Sequence, residues 1–398
     1  MTRPAGSVSA PSFAGLRADP NMRFPAFPKL IDDLRIFRMP DGLGLQLHFG
    51  DLPVVLRGQL AEQAFTFLET HLDGTRDVSQ VAASVPAELP VATVARTLWL
   101  LHTKGLLVNA QADENSTPNW RDVGPVLDRQ MMFWGRHLGE TRAADSSRVV
   151  QHRLGHATVV VVGTGMFGAA TGDLLGRSGC GQLKMLVWDD SDAPLSEPEG
   201  SFIGGLRSSP VAPIAWASAG PSTLNVAASV LQDWMVDADL VVTATRNAPD
   251  QLFETINRIS QRAGTPWLRG NFEASSLELG PYVLPGSSAC LACLQLRRRS
   301  ADPLAIEHQL DHADRANGQE DKGIVPIGET LFGATLGASH LTGEAIRVIT
   351  GISMPALLNR VTTIAPLTGR EQSNIVLRVP RCPECSRAVV TLAERSHA

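Results

Sequence analysis

The chain has 398 residues, a formal net charge of −5 and a sequence pI near 6.1. This length is too great for one ordinary domain and suits two, and the slightly acidic balance excludes nucleic acid as the main expected partner. Residues 1–20 lack the apolar core of a secretory signal, and no run of about 18 uncharged apolar residues occurs that would span a membrane. We therefore expect a cytoplasmic protein that does not bind membranes.

The first part of the chain predicts a short antiparallel sheet. Residues 1–22 are rich in Pro, Ser, Ala and Gly and are expected to be flexible. Beyond them, the apolar stretches 34–39 and 44–49 flank Pro40-Asp41-Gly42, which is typical of a β-hairpin. Residues 52–56 are expected to add a third strand.

Three helices follow, because apolar residues recur at the three- and four-residue spacing of one helical face. A short apolar stretch closes this segment, so that residues 23–109 form a small α+β module of winged-helix type. Winged helices often bind DNA, but the third helix contains only Arg96 and Lys104 as basic residues, which argues against DNA. The predicted helices span residues 59–71, 78–84 and 91–104.

This module resembles the PqqD-like precursor-peptide recognition element of ribosomal peptide pathways, over residues 24–108. The resemblance lies in the strand order, the stretch Leu72-Asp73-Gly74-Thr75 and the ending 98–107. It implies that a leader peptide binds as an added strand at the third β-strand, beside the third helix. The alternative is that the apolar residues here only form the core. The candidate peptide-binding residues are Val54, Val55, Leu56, Thr97, Leu98 and Leu101.

Residues 110–155 are expected to link this module to a second domain that comprises residues 156–398. Within the linker, the apolar spacing of residues 123–138 predicts a connecting helix. The second domain alternates apolar strands with helical segments, as α/β domains do. Besides its first unit, it is predicted to contain strands that begin or run at 240–245, 266–271, 279–286 and 375–380 and a helix at 334–349.

The second domain opens on a glycine turn. The β-branched stretch 157–162 is followed by a G-x-G-x-x-G sequence, Gly163 to Gly168, and by a segment suited to a helix. Glycine permits a tight turn and lets the backbone approach a phosphate at the helix N-terminus. The next apolar run, Leu183–Trp188, ends in Asp189, where a ribose hydroxyl would be bound. These features predict a doubly wound, Rossmann-like α/β domain.

Four of the five cysteines form two C-x-x-C pairs. In a reducing compartment such pairs are typical of a structural zinc site. Each C-x-x-C pair, here called a hook, supplies two thiolates, and two hooks together surround one tetrahedral ion. Two unrelated cysteine pairs or a redox motif are the alternatives. The fifth cysteine, Cys180, is expected to be a small packed residue. The predicted zinc ligands are Cys290, Cys293, Cys382 and Cys385.

The order of glycine turn, acidic strand end, C-x-x-C, small-residue helix and final C-P-x-C resembles the ThiF/MoeB superfamily over residues 157–387. Its members adenylate a carboxylate with ATP. The segment 289–298, followed by Asp302-Pro303, is most similar to the ocin-ThiF-like branch. Fused to a recognition module, that branch is similar to leader-binding partners of azole-forming clusters, in which a YcaO-type cyclodehydratase uses the ATP.

Several positions depart from the active members of the superfamily. Met166 and Phe167 lie within the glycine turn. Their side chains could fill the space in which the turn would hold a phosphate, here called the phosphate cradle. Arg246 stands where active members have the aspartate that positions Mg²⁺, and a guanidinium cannot ligate that ion. The resemblance therefore implies that ATP is not a cofactor. The vestigial nucleotide site would comprise Gly163, Gly165, Gly168, Asp189, Arg207 and Arg246.

Three hypotheses follow. The first is a non-catalytic scaffold that binds a precursor leader and delivers the core peptide to a YcaO-type cyclodehydratase. The second is an active adenylating enzyme that acts on a peptide carboxylate. The third, a nicotinamide-dependent oxidoreductase, rests only on the glycine turn and Asp189. Resemblance to the superfamily also implies a homodimer.

Overall fold

The computed structural model describes residues 13, 24–31, 34–48, 53–110, 125–141, 144, 147–188, 215–219, 223–246, 248–273, 275–304 and 330–386. Most of the predicted flexible segment 1–22, and both Asp189 and Arg207, lie outside these residues. The chain divides into two compact units, residues 1–153 with 350–353 and residues 154–349 with 354–398. None of the helices described in these ranges has the length and apolar character needed to cross a membrane.

The N-terminal unit contains two small antiparallel sheets. Its strands are β1 (Pro28–Leu30), β2 (Arg35–Arg38), β3 (Gly44–His48), β4 (Val54–Arg57) and β5 (Leu107–Asn109). Strands β2, β3 and β4 form one sheet in that order, and β1 pairs with β5 in the other. The predicted hairpin and third strand are confirmed, whereas β1 was not predicted, since three residues are too few to show a period.

The first four helices of this unit lie close to their predicted positions, and the fifth was not predicted. The five are α1 (Gln59–His71), α2 (Val78–Ala83), α3 (Val91–Thr103), α4 (Pro125–Thr141) and α5 (Ser147–His156), which extends into the second unit. A capping box begins α2, because Asp77 accepts from the Gln80 amide and the Gln80 side chain accepts from the Asp77 amide. The buried faces of α1 and α3 pack with β3 and β4 into one apolar core.

The second unit is built on an eight-stranded sheet. Its strands are β6 (Thr158–Gly163), β7 (Gln182–Trp188), β8 (Ala215–Ala219), β9 (Leu240–Arg246), β10 (Trp267–Glu273), β11 (Ser276–Val283), β12 (Arg360–Ala365) and β13 (Arg370–Ile375). Its helices are α6 (Gly165–Arg177), α7 (Leu224–Met235), α8 (Asp250–Ala263), α9 (Leu291–Ala301) and α10 (Leu331–Thr350). The strand order is β13-β12-β11-β10-β9-β6-β7-β8.

The parallel part of this sheet reverses its winding direction at β6. From β6 the chain proceeds to β7 and β8 on one side and then to β9 and β10 on the other, and all these neighbours pair in parallel. In open α/β sheets, ligands bind at such a switch point, outside the carboxyl ends of the strands. The predicted α/β class is confirmed, and the glycine turn falls at that point.

The last predicted strand, 375–380, is wrong. Strand β13 ends at Ile375, where the prediction began, and pairs with β12 in a hairpin. All six β13 residues are exposed and five of them are polar, so no apolar alternation marks the strand. Residues 376–380 instead form an irregular segment that leads to the second cysteine hook.

Candidate functional site

The four cysteines of the two hooks meet in one buried cluster. Sγ–Sγ distances are 3.9 Å for Cys290–Cys293, 3.7 Å for Cys290–Cys382 and 3.6 Å for Cys293–Cys385. Sulfurs bound to one tetrahedral ion at ~2.3 Å lie about 3.8 Å apart, whereas a disulfide requires about 2.05 Å. The cluster therefore has the dimensions of a four-thiolate metal site, and none of its cysteines is in a disulfide.

The first hook is held by amide side chains from distant elements. Cys290 is the N-cap residue of α9, so Cys293 lies in its first turn. The Leu291 amide donates to Asn257 of α8 at 3.1 Å, and the Ala289 amide donates to Asn359 at 2.7 Å. These bonds satisfy backbone groups at a buried helix start and fix the direction of the thiols.

Two arginines join the second hook to the first. Arg378 donates to the carbonyl oxygens of Gly286, before the first hook, and of Cys385, in the second, both at 2.9 Å. Arg297 of α9 donates to the carbonyl of Leu377 at 2.5 Å.

The Val379 amide donates to Cys293 Sγ at 3.3 Å. Hydrogen bonds from Cys290 and Cys385, together with this amide, hold the pKa of the Cys293 thiol below its usual range. The thiolate is the form of cysteine that binds a metal ion, so a lowered pKa suits a metal ligand.

The glycines of the turn are required by close packing of backbone on backbone. A Cβ added at Gly168 would lie 2.5 Å from the Cα of Gly163, far inside van der Waals contact. Gly165 has φ 56°, a conformation that favours glycine. The carboxyl end of β6 and the first turn of α6 are therefore in direct contact. The strand–turn–helix unit predicted from the sequence is confirmed.

Arg246 lies at the same edge of the sheet as the glycine turn. It is the last residue of β9, the strand that pairs with β6, and the Thr164 amide donates to Ala244 of β9 at 3.1 Å. The Thr164 hydroxyl is buried at the start of α6 without a hydrogen-bond partner. Of the vestigial nucleotide site, the structure brings together the three glycines and Arg246.

Phe167 does not fill the space above the glycine turn. Its side chain is fully buried, and a Cβ added at Gly337 of α10 would lie 2.8 Å from its ring. The ring therefore packs into the interior against α10, where a large apolar side chain gains most from burial. The expectation that Phe167 fills the cradle is wrong, and Met166, which is partly exposed, is the remaining candidate.

The predicted peptide-binding residues divide by exposure. On β4, which pairs only with β3 among the described strands, Val55 is exposed and Val54 is partly exposed, whereas Leu56 is buried. The three candidates on α3 are buried in the core of the unit. They are Thr97, Leu98 and Leu101. The backbone edge of β4 and the side chain of Val55 are thus the directly accessible parts of this set.

A buried charge cluster that sequence analysis missed joins the sheet to α9. Glu278 of β11 accepts from Arg269 of β10 and from Arg298 of α9, and the Arg269 guanidinium lies 4.7 Å from the Phe253 ring centroid. Burial alone would raise the pKa of Glu278, but the two guanidinium groups more than offset it, so that the pKa lies below its ordinary value. The partners are 9 and 20 positions from Glu278, and no helical or strand spacing indicates such a cluster.

This cluster predicts a pH-dependent part of the stability. The pKa of Glu278 is lower in the folded state than in the unfolded state. The ionised carboxylate therefore contributes to the free energy of unfolding at pH values above the unfolded pKa of ~4.3, and this contribution is lost as pH falls through the folded pKa. Glu278→Gln should therefore flatten the decline of the unfolding free energy below about pH 4.3 and lower the stability at pH 7. Urea unfolding between pH 3 and 7 measures both effects. An unchanged pH slope in the variant would show that Glu278 titrates normally.

Comparison with known proteins supports the fold at low identity. No known family profile and no curated protein matches the chain. The microcin C7 biosynthetic enzyme MccB in complex with N-formylated MccA is 17% identical, with 90% of this chain and 99% of MccB covered at a TM-score of 0.63. E. coli MccB with ATP is 16% identical, with the same coverage and a TM-score of 0.60.

A second solved protein has a related fold. The heterocyclase TruD is 15% identical and has a TM-score of 0.56, with 91% of this chain and 43% of TruD covered. At these identities the likeness establishes a fold and not an activity. The fold and the site thus define a protein with the architecture of MccB that carries a buried four-cysteine cluster.

Proposed function

We propose that this protein is a leader-peptide-binding scaffold of ribosomal peptide biosynthesis, of the thiazole- and oxazole-forming type. It binds the precursor through its N-terminal unit and delivers the core peptide to a YcaO-type cyclodehydratase. It acts without adenylating activity of its own, as a homodimer in the cytoplasm. Binding of the leader would raise the effective concentration of the core peptide at the partner's active site.

The observation that carries the proposal is an edge strand, β4, that pairs only with β3 among the described strands, in a chain of which 90% is covered by the match to the MccB fold. MccB was solved in complex with N-formylated MccA, and TruD is a heterocyclase, and we take both neighbours as support for a role in peptide modification. Within the described part of the chain, the outer edge of β4 has no strand partner, and backbone groups at such an edge can bind an extended peptide. A PqqD-like role for the N-terminal unit would account for the three-stranded sheet β2-β3-β4 and for helices α1, α2 and α3.

Arg246 supports the absence of adenylating activity. Adenylation uses Mg²⁺ to neutralise charge at the phosphoryl group that reacts. A guanidinium carries five donors and no acceptor, so at the strand end beside the glycine turn it would repel the ion. With this residue in the metal position, the glycine turn is retained for packing between β6 and α6.

The cysteine cluster is proposed to hold one structural Zn²⁺. Four buried sulfurs at tetrahedral separations suit zinc, which prefers thiolates and accepts a closed set of four protein ligands. Such a site leaves no position for substrate. The ion would clamp α9 to the segment that follows β13, a role that the backbone bonds of Arg378 already assist.

Two measurements on the full-length protein test the proposal. A fluorescein-labelled leader peptide encoded next to this gene should bind with the same affinity with and without ATP and Mg²⁺. ATP–pyrophosphate exchange with the full precursor should remain at the no-protein background, while an active ThiF/MoeB-type enzyme in the same assay gives signal. Co-purification with the neighbouring YcaO enzyme, and faster cyclisation of the precursor when both are present, should accompany binding.

The competing function is an ATP-dependent enzyme that adenylates a peptide carboxylate. One observation favours it: the MccB fold, which this chain follows, has been solved with ATP bound. Exchange that requires both peptide and ATP would establish this function in place of the scaffold. Cyclisation of the precursor at an equal rate without this protein would exclude the delivery role.

A further inference from the structure

The three-stranded sheet of the N-terminal unit has one buried face and one open face. Side chains alternate along a strand, so the buried Leu45, Leu47 and Leu56 define the inner face, which packs on the helices. The remaining positions form the opposite surface, here named the outer sheet face. Its residues are Arg35 and Phe37 of β2, Gln46 and His48 of β3, and Val55 and Arg57 of β4.

The outer sheet face combines apolar and basic side chains. Phe37, Gln46 and Val55 are in register across the three strands and form one row, with Phe37 54% and Val55 37% exposed. The guanidinium groups of Arg35 and Arg57 have no hydrogen-bond or ion-pair partner among the described residues. Strands β2, β3 and β4 contain no Asp or Glu, so the sheet supplies no counter-charge of its own.

Arg38 shows the contrast with the inner side of the same sheet. Its guanidinium donates to Glu69 of α1 at 3.0 Å and lies 3.8 Å from Glu62. Acidic residues therefore accompany the arginine that faces the unit's own helix, whereas none of the described strand residues on the open face is acidic. Charge on the open face is left for a partner to complement.

An added strand would meet two of these side chains first. Arg57 and Val55 are on β4, an edge strand that pairs only with β3 among the described strands, and the neighbour of Arg57 on β3 is Gly44, which has no side chain. Cross-strand partners in a sheet lie with Cβ atoms about 5 Å apart, and opposite charges in such pairs stabilise. The β3 residue directly opposite Arg57 therefore offers no side chain, and a residue opposite Arg57 on an added strand would supply one, in either direction of the added strand.

We infer that the peptide bound at β4 is an acidic, amphipathic strand. It places a carboxylate opposite Arg57 and an apolar side chain, two positions away, opposite Val55. That apolar side chain extends the row of Phe37, Gln46 and Val55. This inference rests on the proposed function and adds to it the chemistry of the recognised leader segment.

Selection from a displayed peptide library tests the inference and does not require the natural leader. Random 12-residue peptides on phage are selected against the immobilised full-length wild type, Arg57→Glu and the matched control Arg35→Glu, which changes the same face on β2, two strands from β4. The wild type and Arg35→Glu should enrich peptides with Asp or Glu two positions from a large apolar residue. Peptides enriched on Arg57→Glu should instead have Lys or Arg at the position of that acid.

Binding of single peptides then gives the magnitude. A synthetic peptide enriched by the wild type should bind Arg57→Glu about tenfold more weakly, and the same peptide with its acid changed to lysine should reverse the preference. An unchanged consensus on Arg57→Glu would overturn the inference while peptide binding stands. Failure of the wild type to enrich any peptide would overturn both, and binding of a labelled single-stranded oligonucleotide in that case would assign the face to nucleic acid.

Discussion

Cys382→Ser should abolish binding of the proposed Zn²⁺ and cause a large loss of stability in the α/β unit. The substitution leaves three thiolates buried around a site built for four, and one hydroxyl is a poor substitute ligand for zinc. We expect zinc content to fall from one ion per chain to near zero and the unfolding free energy to fall by about 3 kcal/mol or more. Elemental analysis of the purified protein and thermal unfolding measure the two effects.

Cys180→Ser is the matched control for this prediction. Cys180 is also buried, and its change to serine also replaces one atom, but its thiol donates to the backbone carbonyl groups of Ala157 and Gln182, and burial raises its pKa to about 12. It should keep full zinc content and lose about 1 kcal/mol or less. A Cys382 variant that retains its zinc, or that unfolds together with the wild type, would exclude the proposed metal clamp.

Gly168→Ala should be nearly as damaging, although it adds a single methyl group. The new Cβ would lie 2.5 Å from the Cα and 2.6 Å from the carbonyl carbon of Gly163, so that strand β6 and helix α6 must separate. Backbone atoms at a strand end cannot rotate away as a side chain can, and overpacking of this kind costs about 3 kcal/mol. Urea unfolding of the variant gives the loss directly.

Gly343→Ala in α10 is the same type of substitution, but we expect it to have the opposite effect on stability. No heavy atom lies within 4 Å of an added Cβ at that position. Alanine should therefore stabilise the helix by ~0.5–1 kcal/mol through its lower conformational freedom in the unfolded chain. If the two variants have equal stability, the contact between Gly163 and Gly168 does not constrain the fold, and the glycine turn would need another explanation.

The sequence predicts best those elements whose signal is local. Helix α1 spans the predicted residues 59–71, because a regular apolar face and a glycine before it mark both its phase and its start. The cysteine cluster is predictable for a related reason. Each C-x-x-C hook is a local pattern, and tetrahedral chemistry requires two hooks to meet, whatever the distance along the chain.

Features that depend on tertiary contacts could not be predicted from the sequence. Strand β13 is exposed on every side and polar, so only its pairing with β12 identifies it. Arg269, Glu278 and Arg298 look like ordinary surface charges in the sequence. The burial of Arg269 and the partial burial of Glu278 follow from how β10, β11 and α9 pack, whereas Arg298 is exposed. The inward direction of Phe167 depends on the small Gly337 of α10, a residue 170 positions later (337 − 167).

The separation of the two hooks affects how the protein is made. Between Cys293 and Cys382 lie 88 residues (382 − 293 − 1), which include α10, β12 and β13. At ~5–20 residues per second, a ribosome needs roughly 4–18 s to pass from the first hook to the second. Throughout that interval the two leading thiols have no partners and are open to oxidation or to a wrong metal. Metal capture is thus a late step in the biogenesis of the α/β unit, and zinc-starved cells should accumulate chains whose parallel strands are complete but whose clamp is open.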